Sequence, residues 1–258
     1  MQKRQIGTTG IWVSVLGLGT VKFGRNQAVK YPQAFELPTD AEVDRLLQLA
    51  SELGINLLDT APAYGTSEER LGKALVGKRD QFVLSTKVGE EFVNGESSFD
   101  FSRATIIASV ERSLKRLRTD YVDIVLVHSN GDDIALIERD EVFVTLEQLK
   151  KAGKIRAFGM SSKTLQGGKK TIELSDVAMI AFNPDYQDEV VLIREAAQKQ
   201  KGIFIKKAFA SGHLAAHKAL PFILAEPGVT SVIIGSINAD HLRDNVSEAN
   251  KVILASDG

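Results

Sequence analysis

The sequence predicts an α/β protein, a (β/α)8 barrel of one domain over residues 1–258 with an N-terminal β-hairpin. Three observations lead there. The chain has 258 residues, close to the size of eight strand–helix units closed into a ring. Short apolar runs alternate with helical patterns as far as the last segment, and most are unalternating, as in strands buried on both faces. The competing doubly wound sheet lacks its fingerprint: Gly17-Leu18-Gly19 stands alone and no Gly-x-Gly-x-x-Gly opens a helix.

Thr9-Gly10 is a turn between two extended stretches, residues 3–8 and 11–18, the arms of the opening hairpin. The second arm runs into Gly17-Leu18-Gly19-Thr20. Thr39-Asp40-Ala41-Glu42 is a capping box ahead of Val43, Leu46, Leu47, Ala50 and Leu53, which share one helical face, and Gly54 suits the C′ position. Residues 55–58 form a short buried strand ending in Asp59. Thr66-Ser67-Glu68-Glu69 caps a helix through Leu71 and Leu75, and residues 82–86 form a strand ending in Lys87. Helical spacing returns over 102–118 at Ile106, Ile107, Val110, Leu114 and Leu117, followed by the apolar run 122–127 and His128. The cycle continues with a helix over 141–151 and a strand over 155–160 leading to Ser161-Ser162. A weaker helix over 166–174 precedes a strand at 177–182. A helix over 188–201 then leads to a strand at 203–205 and Lys206-Lys207. A poorly patterned stretch (214–225), a strand (232–234) and a helix from about 238 to 253 close the chain. That makes seven or eight strands, each followed by a helix.

Lys+Arg total 32 and Asp+Glu 33, for a formal net charge of -1, so the composition offers no basic face for nucleic acid. No apolar run approaches the roughly 20 residues of a membrane span. Met1-Gln2-Lys3-Arg4-Gln5-Ile6-Gly7 lacks the apolar core of a secretion signal, so a cytoplasmic protein is expected, with a monomer as the default. Cysteine is absent, which excludes disulfides, thiol catalysis and Cys-ligated zinc.

In a barrel of this kind chemistry gathers at the C-terminal ends of the strands. The residues after successive apolar runs are Asp59, Lys87, His128, Ser161-Ser162, Lys206-Lys207 and Gly235-Ser236. Singly, each has an ordinary reading: Asp59 can cap a turn, Lys87 can be a solvated rim charge, and His128 can sit hydrogen-bonded under a loop. An acid, an amine and an imidazole at three successive strand ends instead converge on one mouth. Tyr64, in Asp59-Thr60-Ala61-Pro62-Ala63-Tyr64-Gly65, adds a phenol on the same loop as the acid. The four groups make one device. Tyr64 can give a proton to a developing alkoxide if its pKa, ordinarily about 10, is brought nearer neutral. The Lys87 ammonium favours phenolate and works in that direction, and Asp59 is the counter-ion that keeps Lys87 charged. His128 can orient a carbonyl oxygen, or relay a proton at low pH. None of the four donates hydride, so a cofactor must.

The stretches that carry these groups resemble the aldo-keto reductase superfamily, as a short bacterial-type member. They are Asp59 to Gly65, Ser85-Thr86-Lys87 and Leu126-Val127-His128, supported by Gly159-Met160-Ser161-Ser162 and by Gly235-Ser236-Ile237-Asn238 through Asn245. The resemblance runs along nearly the whole chain in the family's order. It implies that Asp59, Tyr64, Lys87 and His128 are the catalytic tetrad, with Tyr64 as general acid. It also implies a nicotinamide dinucleotide lying extended across the barrel mouth, and reduction of small aldehydes or ketones to alcohols. The cofactor contacts it implies are Gly19, Thr20, Ser161, Ser162, Lys206, Lys207, Ala208, Phe209, Gly212, Gly235, Ser236, Asn238, His241, Asp244 and Asn245.

The chain departs from the family's pattern at several of these positions. Where the family usually offers Ser-Asn and a Gln to grip the carboxamide, this sequence has Ser161-Ser162 and Met179, and Met cannot donate to an amide. Lys206 falls where many relatives stack an aromatic ring on the nicotinamide. Ala208-Phe209-Ala210-Ser211-Gly212 stands for the loop that closes on the pyrophosphate, to which basic residues and free backbone N–H groups are suited. Towards the adenosine, the Lys-Ser, Arg, Glu and Asn of NADP-specific members read Gly235-Ser236, His241, Asp244 and Asn245. Ser236, Asn238 and the start of the last helix can still receive a 2′-phosphate. Two lost cations weaken discrimination against NADH, and Arg243 can offset part of that. NADPH is therefore the expected cofactor, with NADH possible.

Lys22, Phe23, Tyr31, Glu90, Phe92, Ser129 and Asn130 are candidate pocket walls. His213 and His217 stand four apart with no further carboxylate placed beside them, so no metal site is expected. A nicotinamide-binding redox-sensing or regulatory subunit with little turnover is the alternative reading. An enzyme is favoured because a pure binder has no use for the Asp59–Tyr64–Lys87 arrangement. By the resemblance, the last strand and helix use up the chain, so the lids of longer relatives are mostly absent. An open site with broad, weak substrate selection is expected.

Overall fold

Residues 1–256 are described in a computed structural model. β1 (Lys3–Gln5) and β2 (Trp12–Ser14) pair antiparallel, and β3 (Leu16–Gly19) begins the barrel. Residues 11–18 are therefore two strands rather than one hairpin arm. The break has a local cause: the Ser14 N–H donates to Asn56 Oδ1 (2.6 Å) and Ser14 Oγ donates to the Leu16 carbonyl (2.6 Å), which turns the chain out of the first ladder. Ile6, Ile11 and Val13 are buried in one cluster with the barrel residues Leu57, Ile124, Ala157, Val177 and Phe204, so the hairpin forms part of the barrel's inner core.

After β3 come α1 (Val21–Gly24), α2 (Asp40–Glu52), β4 (Leu57–Asp59), α3 (Ser67–Ala74) and β5 (Val83–Val88). The capping box on α2 forms as expected: the Thr39 side chain accepts from the Glu42 N–H, and the Glu42 carboxylate accepts from the Thr39 N–H (2.7 Å). Thr66 makes no such bond. The residues after it turn inward instead: Ser67 Oγ bonds Thr20 and Thr60, and Glu68 accepts from Thr86 Oγ1 (2.6 Å) and pairs with Arg116 (3.3 Å). That sequence ties α3 to the barrel wall rather than capping it.

A second hairpin follows, β6 (Glu90–Val93) and β7 (Glu96–Phe99), which periodicity did not reveal. Its turn is Asn94-Gly95, both with positive φ (54° and 89°), the combination that favours a two-residue hairpin turn. The chain continues through α4 (Arg103–Leu117), β8 (Val122–His128), an unanticipated α5 (Asp133–Glu138), α6 (Val142–Lys151), β9 (Ile155–Ser161) and α7 (Leu165–Leu174). Then come β10 (Val177–Ala181), α8 (Val190–Gln198), β11 (Gly202–Lys206), α9 (Ala216–Leu224), β12 (Ser231–Ile234) and α10 (Ala239–Ser256).

The eight barrel strands close in the order β10-β11-β12-β3-β4-β5-β8-β9, every neighbouring pair parallel. This is the (β/α)8 barrel with its N-terminal hairpin. The parallel arrangement places all eight strand C-termini at one end, which makes that end the place to look for chemistry. No helix among the described residues is long and apolar enough to cross a membrane.

Close approach of strands makes Gly159 on β9 irreplaceable. A Cβ there would lie 1.6 Å from the Val177 carbonyl oxygen of β10 and 2.8 Å from its carbonyl carbon, backbone atoms that cannot give way. Gly159→Ala is expected to destabilise the protein by at least about 2 kcal/mol through overpacking, and Thr39→Ala by about 1 kcal/mol through loss of the cap. Urea unfolding midpoints of the two variants, compared with the parent, check both the size and the order.

Candidate active site

Four side chains meet at the mouth. Asp59 is the last residue of β4, Lys87 the penultimate residue of β5 and His128 the last of β8. Tyr64 sits on a short 3₁₀ turn, Pro62–Tyr64, where proline pre-sets the first helical φ. The turn is brought to the barrel by Gly65, at φ 60°, where a Cβ would fall 2.2 Å from the Gly24 carbonyl oxygen. Only glycine fits.

Lys87 is 1% and Asp59 3% exposed. The ammonium donates to Asp59 Oδ2 (2.8 Å), Asp59 Oδ1 (2.9 Å) and the Thr60 carbonyl (2.9 Å), and Ser85 Oγ donates to Asp59 Oδ1 (3.0 Å). Burial opposes the charge on Lys87, but Asp59 and Tyr64 outweigh it and hold the ammonium above the usual lysine range. Lys87 Nζ lies 4.8 Å from the Tyr64 ring centre. The phenol does not follow the expectation of a lowered pKa. Burial pushes Tyr64 up, with Asp59 and Glu90 adding to it, and Lys87 only offsets part of the rise. Tyr64 therefore stands as a protonated phenol with a cation beside it, ready to stabilise the phenolate once the proton has left.

His128 crosses Tyr64 edge to face at 6.2 Å between ring centres. Its Nδ1 lies 2.7 Å from Glu90 Oε2, an ion-pair approach outside good hydrogen-bond alignment. Ser97 Oγ, on the other arm of the same hairpin, donates to Glu90 Oε1 (2.7 Å). Burial disfavours the Glu90 carboxylate, but His128, Ser97 and Arg25 together bring it down to about 2. Burial lowers His128 below its ordinary value, and Lys87 and Lys206 add to this against Glu90. The pair at neutral pH is thus a carboxylate against a neutral imidazole.

From these four residues a cavity of about 1000 Å³ runs across the mouth to α10. Of the expected cofactor residues, Gly19, Ser161, Lys206, Lys207, Ala208, Phe209, Gly212, Gly235, Ser236, His241, Asp244 and Asn245 line it. Thr20, Ser162 and Asn238 are not among its walls. Thr20 is fully buried, donating to the Asp59 carbonyl (3.0 Å) and accepting from Ser67 (2.8 Å). Ser162 is buried, and its carbonyl, rather than its hydroxyl, is engaged, accepting from Lys206. Asn238 Oδ1 accepts from the Asp240 and His241 N–H groups (2.8 and 3.0 Å) at the start of α10. Phe23 and Ser129 are likewise buried away from the mouth.

Sequence reasoning missed two sets of lining residues. Ser247, Glu248 and Lys251 stand three, four and seven residues beyond Asp244, the spacing of one helical face, and they extend the wall. Pro32 and Gln33, in the segment 25–38, are the other: they line the cavity beside Tyr31, which the sequence had offered as a candidate wall. A Cβ on Gly235 would lie 3.2 Å from the Tyr31 hydroxyl, and one on Gly212 3.3 Å from Pro32 Cδ. Tyr31 meets Phe35 edge to face at 5.6 Å, and the Lys22 ammonium lies over both rings (4.1 and 5.0 Å). So the mouth is bridged by this segment and flanked by the β6–β7 hairpin.

The sequence model described as the Aldo/keto reductase family matches residues 15–203, more than half of the chain. The chain belongs to that family. An aldo/keto reductase is an oxidoreductase that interconverts small carbonyl compounds and alcohols with a nicotinamide cofactor. The solved structure of a Pseudomonas aeruginosa protein assigned to the aldo-keto reductases is 48% identical, with a TM-score of 0.91, over 97% of this chain and 95% of that one. A Bacillus subtilis protein named an uncharacterized oxidoreductase is 28% identical over 97% of this chain and 92% of its own length. The NADH-specific methylglyoxal reductase of Escherichia coli is 35% identical over 63% of this chain and 52% of its own.

Glu90, a candidate pocket wall in the sequence, is set by the structure against His128. In the parent, His128 is expected to be neutral at pH 7. Glu90→Gln removes the carboxylate that favours imidazolium, so the titration of His128 should fall further. Imidazole NMR signals followed between pH 4 and 8 check this. An unchanged titration would mean that the 2.7 Å approach carries no electrostatic weight.

Proposed function

We propose that this aldo/keto reductase reduces aldehydes and ketones to alcohols with NADPH, with Tyr64 as the proton donor. The observation that carries the reading is the buried Lys87 ammonium, bonded to both Asp59 oxygens and set beside a protonated Tyr64. The cavity fits an extended dinucleotide by its reach and its donors. Lys206, Lys207, Gly212, Ser236, His241, Asn245 and Lys251 line the same cavity as the four candidate catalytic residues.

The bound reduced nicotinamide supplies hydride; the chain does the rest. A carbonyl oxygen within reach of Tyr64 Oη receives its proton as negative charge develops there. Lys87 stabilises the resulting phenolate, and Asp59 keeps Lys87 charged while it does so. Glu90 beside Nδ1 favours the proton on that nitrogen, so Nε2 of neutral His128 accepts a hydrogen bond and becomes a donor only on protonation. Reduction is therefore favoured as the pH falls through the titration of His128, which lies below its ordinary 6.5.

For the adenosine end, His241 and Lys251 favour a 2′-phosphate, while Asp244 and Glu248 oppose it. Lys251 is bonded to Glu248 at 2.6 Å, which reduces what it can offer. NADPH is the better cofactor by a narrow margin and NADH is also used, in keeping with a relative named as NADH-specific.

The test mixes the protein with NADPH and a reactive aromatic aldehyde and follows loss of reduced-nicotinamide absorbance. Many turnovers are expected, with Tyr64→Phe slower by about 10³-fold and its NADPH affinity retained. A Tyr64→Phe protein as fast as the parent would overturn the role given to Tyr64. Consumption that stops after one equivalent would point instead to a redox-sensing subunit.

A further inference from the structure

Lys206 brings a further ammonium to the same cavity, and the proton transfer just described makes no use of it. Lys206 ends β11, yet its Nζ donates to Ser161 Oγ (2.9 Å) and to the Ser162 carbonyl (2.6 Å), two strands away at the end of β9. Ser161 is paired in register with His128 on one side and with Met179 of β10 on the other. The lysine side chain thus spans the cavity floor and delivers its charge next to the strand that carries the imidazole.

Position decides what that charge can do. A ring that delivers hydride to a carbon whose oxygen is held at Tyr64 and His128 would lie in the cavity those residues share with Lys206. Oxidised nicotinamide is a cation and reduced nicotinamide is neutral. A fixed ammonium beside the ring therefore penalises one form and leaves the other untouched.

We infer that Lys206 is a redox-discriminating residue, whose ammonium disfavours NADP+ relative to NADPH in the bound state. The inference rests on the nicotinamide reading of the cavity given above. It makes the reduced cofactor the better held of the two, so that the oxidised product leaves readily. It also makes the discrimination depend on protonation. The charged groups within reach of Lys206 are Glu189, just ahead of α8, Asp133 on α5, Lys163 after β9, its neighbour Lys207, and His128. Glu189 is not its hydrogen-bond partner: that carboxylate accepts from the Ala181 N–H (3.0 Å) and the Tyr186 hydroxyl (3.1 Å). Burial draws Lys206 down to about 7, with Lys207 and Lys163 adding to it against Glu189 and Asp133. The bias against NADP+ is present below that pH and lost above it.

The experiment measures dissociation constants for NADPH, NADP+ and 2′-phospho-ADP-ribose, which lacks the nicotinamide, at pH 6.0 and pH 8.5. It uses the parent, Lys206→Met and Lys206→Arg. In the parent the ratio Kd(NADP+)/Kd(NADPH) is expected to be about tenfold higher at pH 6.0 than at pH 8.5, equivalent to about 30 mV for a two-electron couple. Lys206→Met should lower the ratio at pH 6.0 by the same factor and flatten its pH dependence. Lys206→Arg, which does not titrate in this range, should keep the ratio high at both. Unaltered binding of 2′-phospho-ADP-ribose shows that each variant is folded with its adenosine end intact. A ratio that Lys206→Met leaves unchanged, with both cofactors bound, overturns the inference alone. A parent that binds neither NADPH nor NADP+ overturns the nicotinamide reading and the inference together.

Discussion

The Lys87–Asp59 pair couples the closure of the barrel to the chemistry at its mouth. A lysine at 1% exposure keeps its charge only beside a partner that is equally withdrawn from water, and here both carboxylate oxygens lie within 2.9 Å. Such a pair is no bonus to stability, since its desolvation consumes most of the attraction; breaking it by removing one partner ordinarily costs about 3–5 kcal/mol. Its two members come from adjacent strands, and Ser85, the register partner of Asp59, donates to the same carboxylate. Correct pairing of β4 with β5 and correct placement of the ammonium are therefore one requirement, and Tyr64 depends on both.

The surrounding mouth is assembled from parts that contribute little to the core. The β6–β7 hairpin carries Glu90 to His128, and Arg25 holds it from the other side, stacked at 3.4 Å on Phe92 and donating to the carbonyls of Ala63, Gln27 and Ala28. The segment 25–38 crosses to meet Gly212 and Gly235. Both pieces close on the cavity from the β3–β5 side. The floor on the opposite side comes from β9, β10 and β11 through Ser161, Met179 and Lys206. One side thus positions the groups that move a proton, and the other meets whatever lies across the floor.

Legibility followed burial. The strands were plain in the sequence because a buried parallel strand is an apolar run, and each run pointed to the polar residue at its end; Asp59, Lys87 and His128 were found that way. The parts that escaped lack such patterning. Glu90 was legible only as a candidate wall and its contact with His128 was not, because it sits with Ser97 on a hairpin whose one strong signal, Asn94-Gly95, lies outside any alternating pattern. The 25–38 segment has no repeat at all, and only coordinates reveal that Tyr31 reaches Gly235. Thr20, Ser162 and Asn238 lie outside the cavity lining for a different reason. Each stands beside lining residues in sequence, but the alternation along a strand, or the needs of a helix start, turned its side chain away. The low pKa expected for Tyr64 failed on magnitude, because the neighbouring cation was visible in sequence and the depth of burial was not.

Lys87 and Lys206 show why residue type alone does not fix chemistry. They occupy similar places, at the ends of β5 and β11, Lys87 buried and Lys206 half-buried. Burial acts on each in the same direction, towards the neutral amine. Lys87 meets a carboxylate directly, and that contact more than reverses the effect. Lys206 meets a serine hydroxyl and a carbonyl, which solvate an ammonium without neutralising it, while the nearest acid spends its oxygens on Ala181 and Tyr186. One lysine is thereby a permanent charge and the other a charge with a threshold near neutral pH. A permanent cation suits a group that must stabilise phenolate in every turnover. A cation with a threshold suits one that faces a ligand whose own charge changes during the reaction.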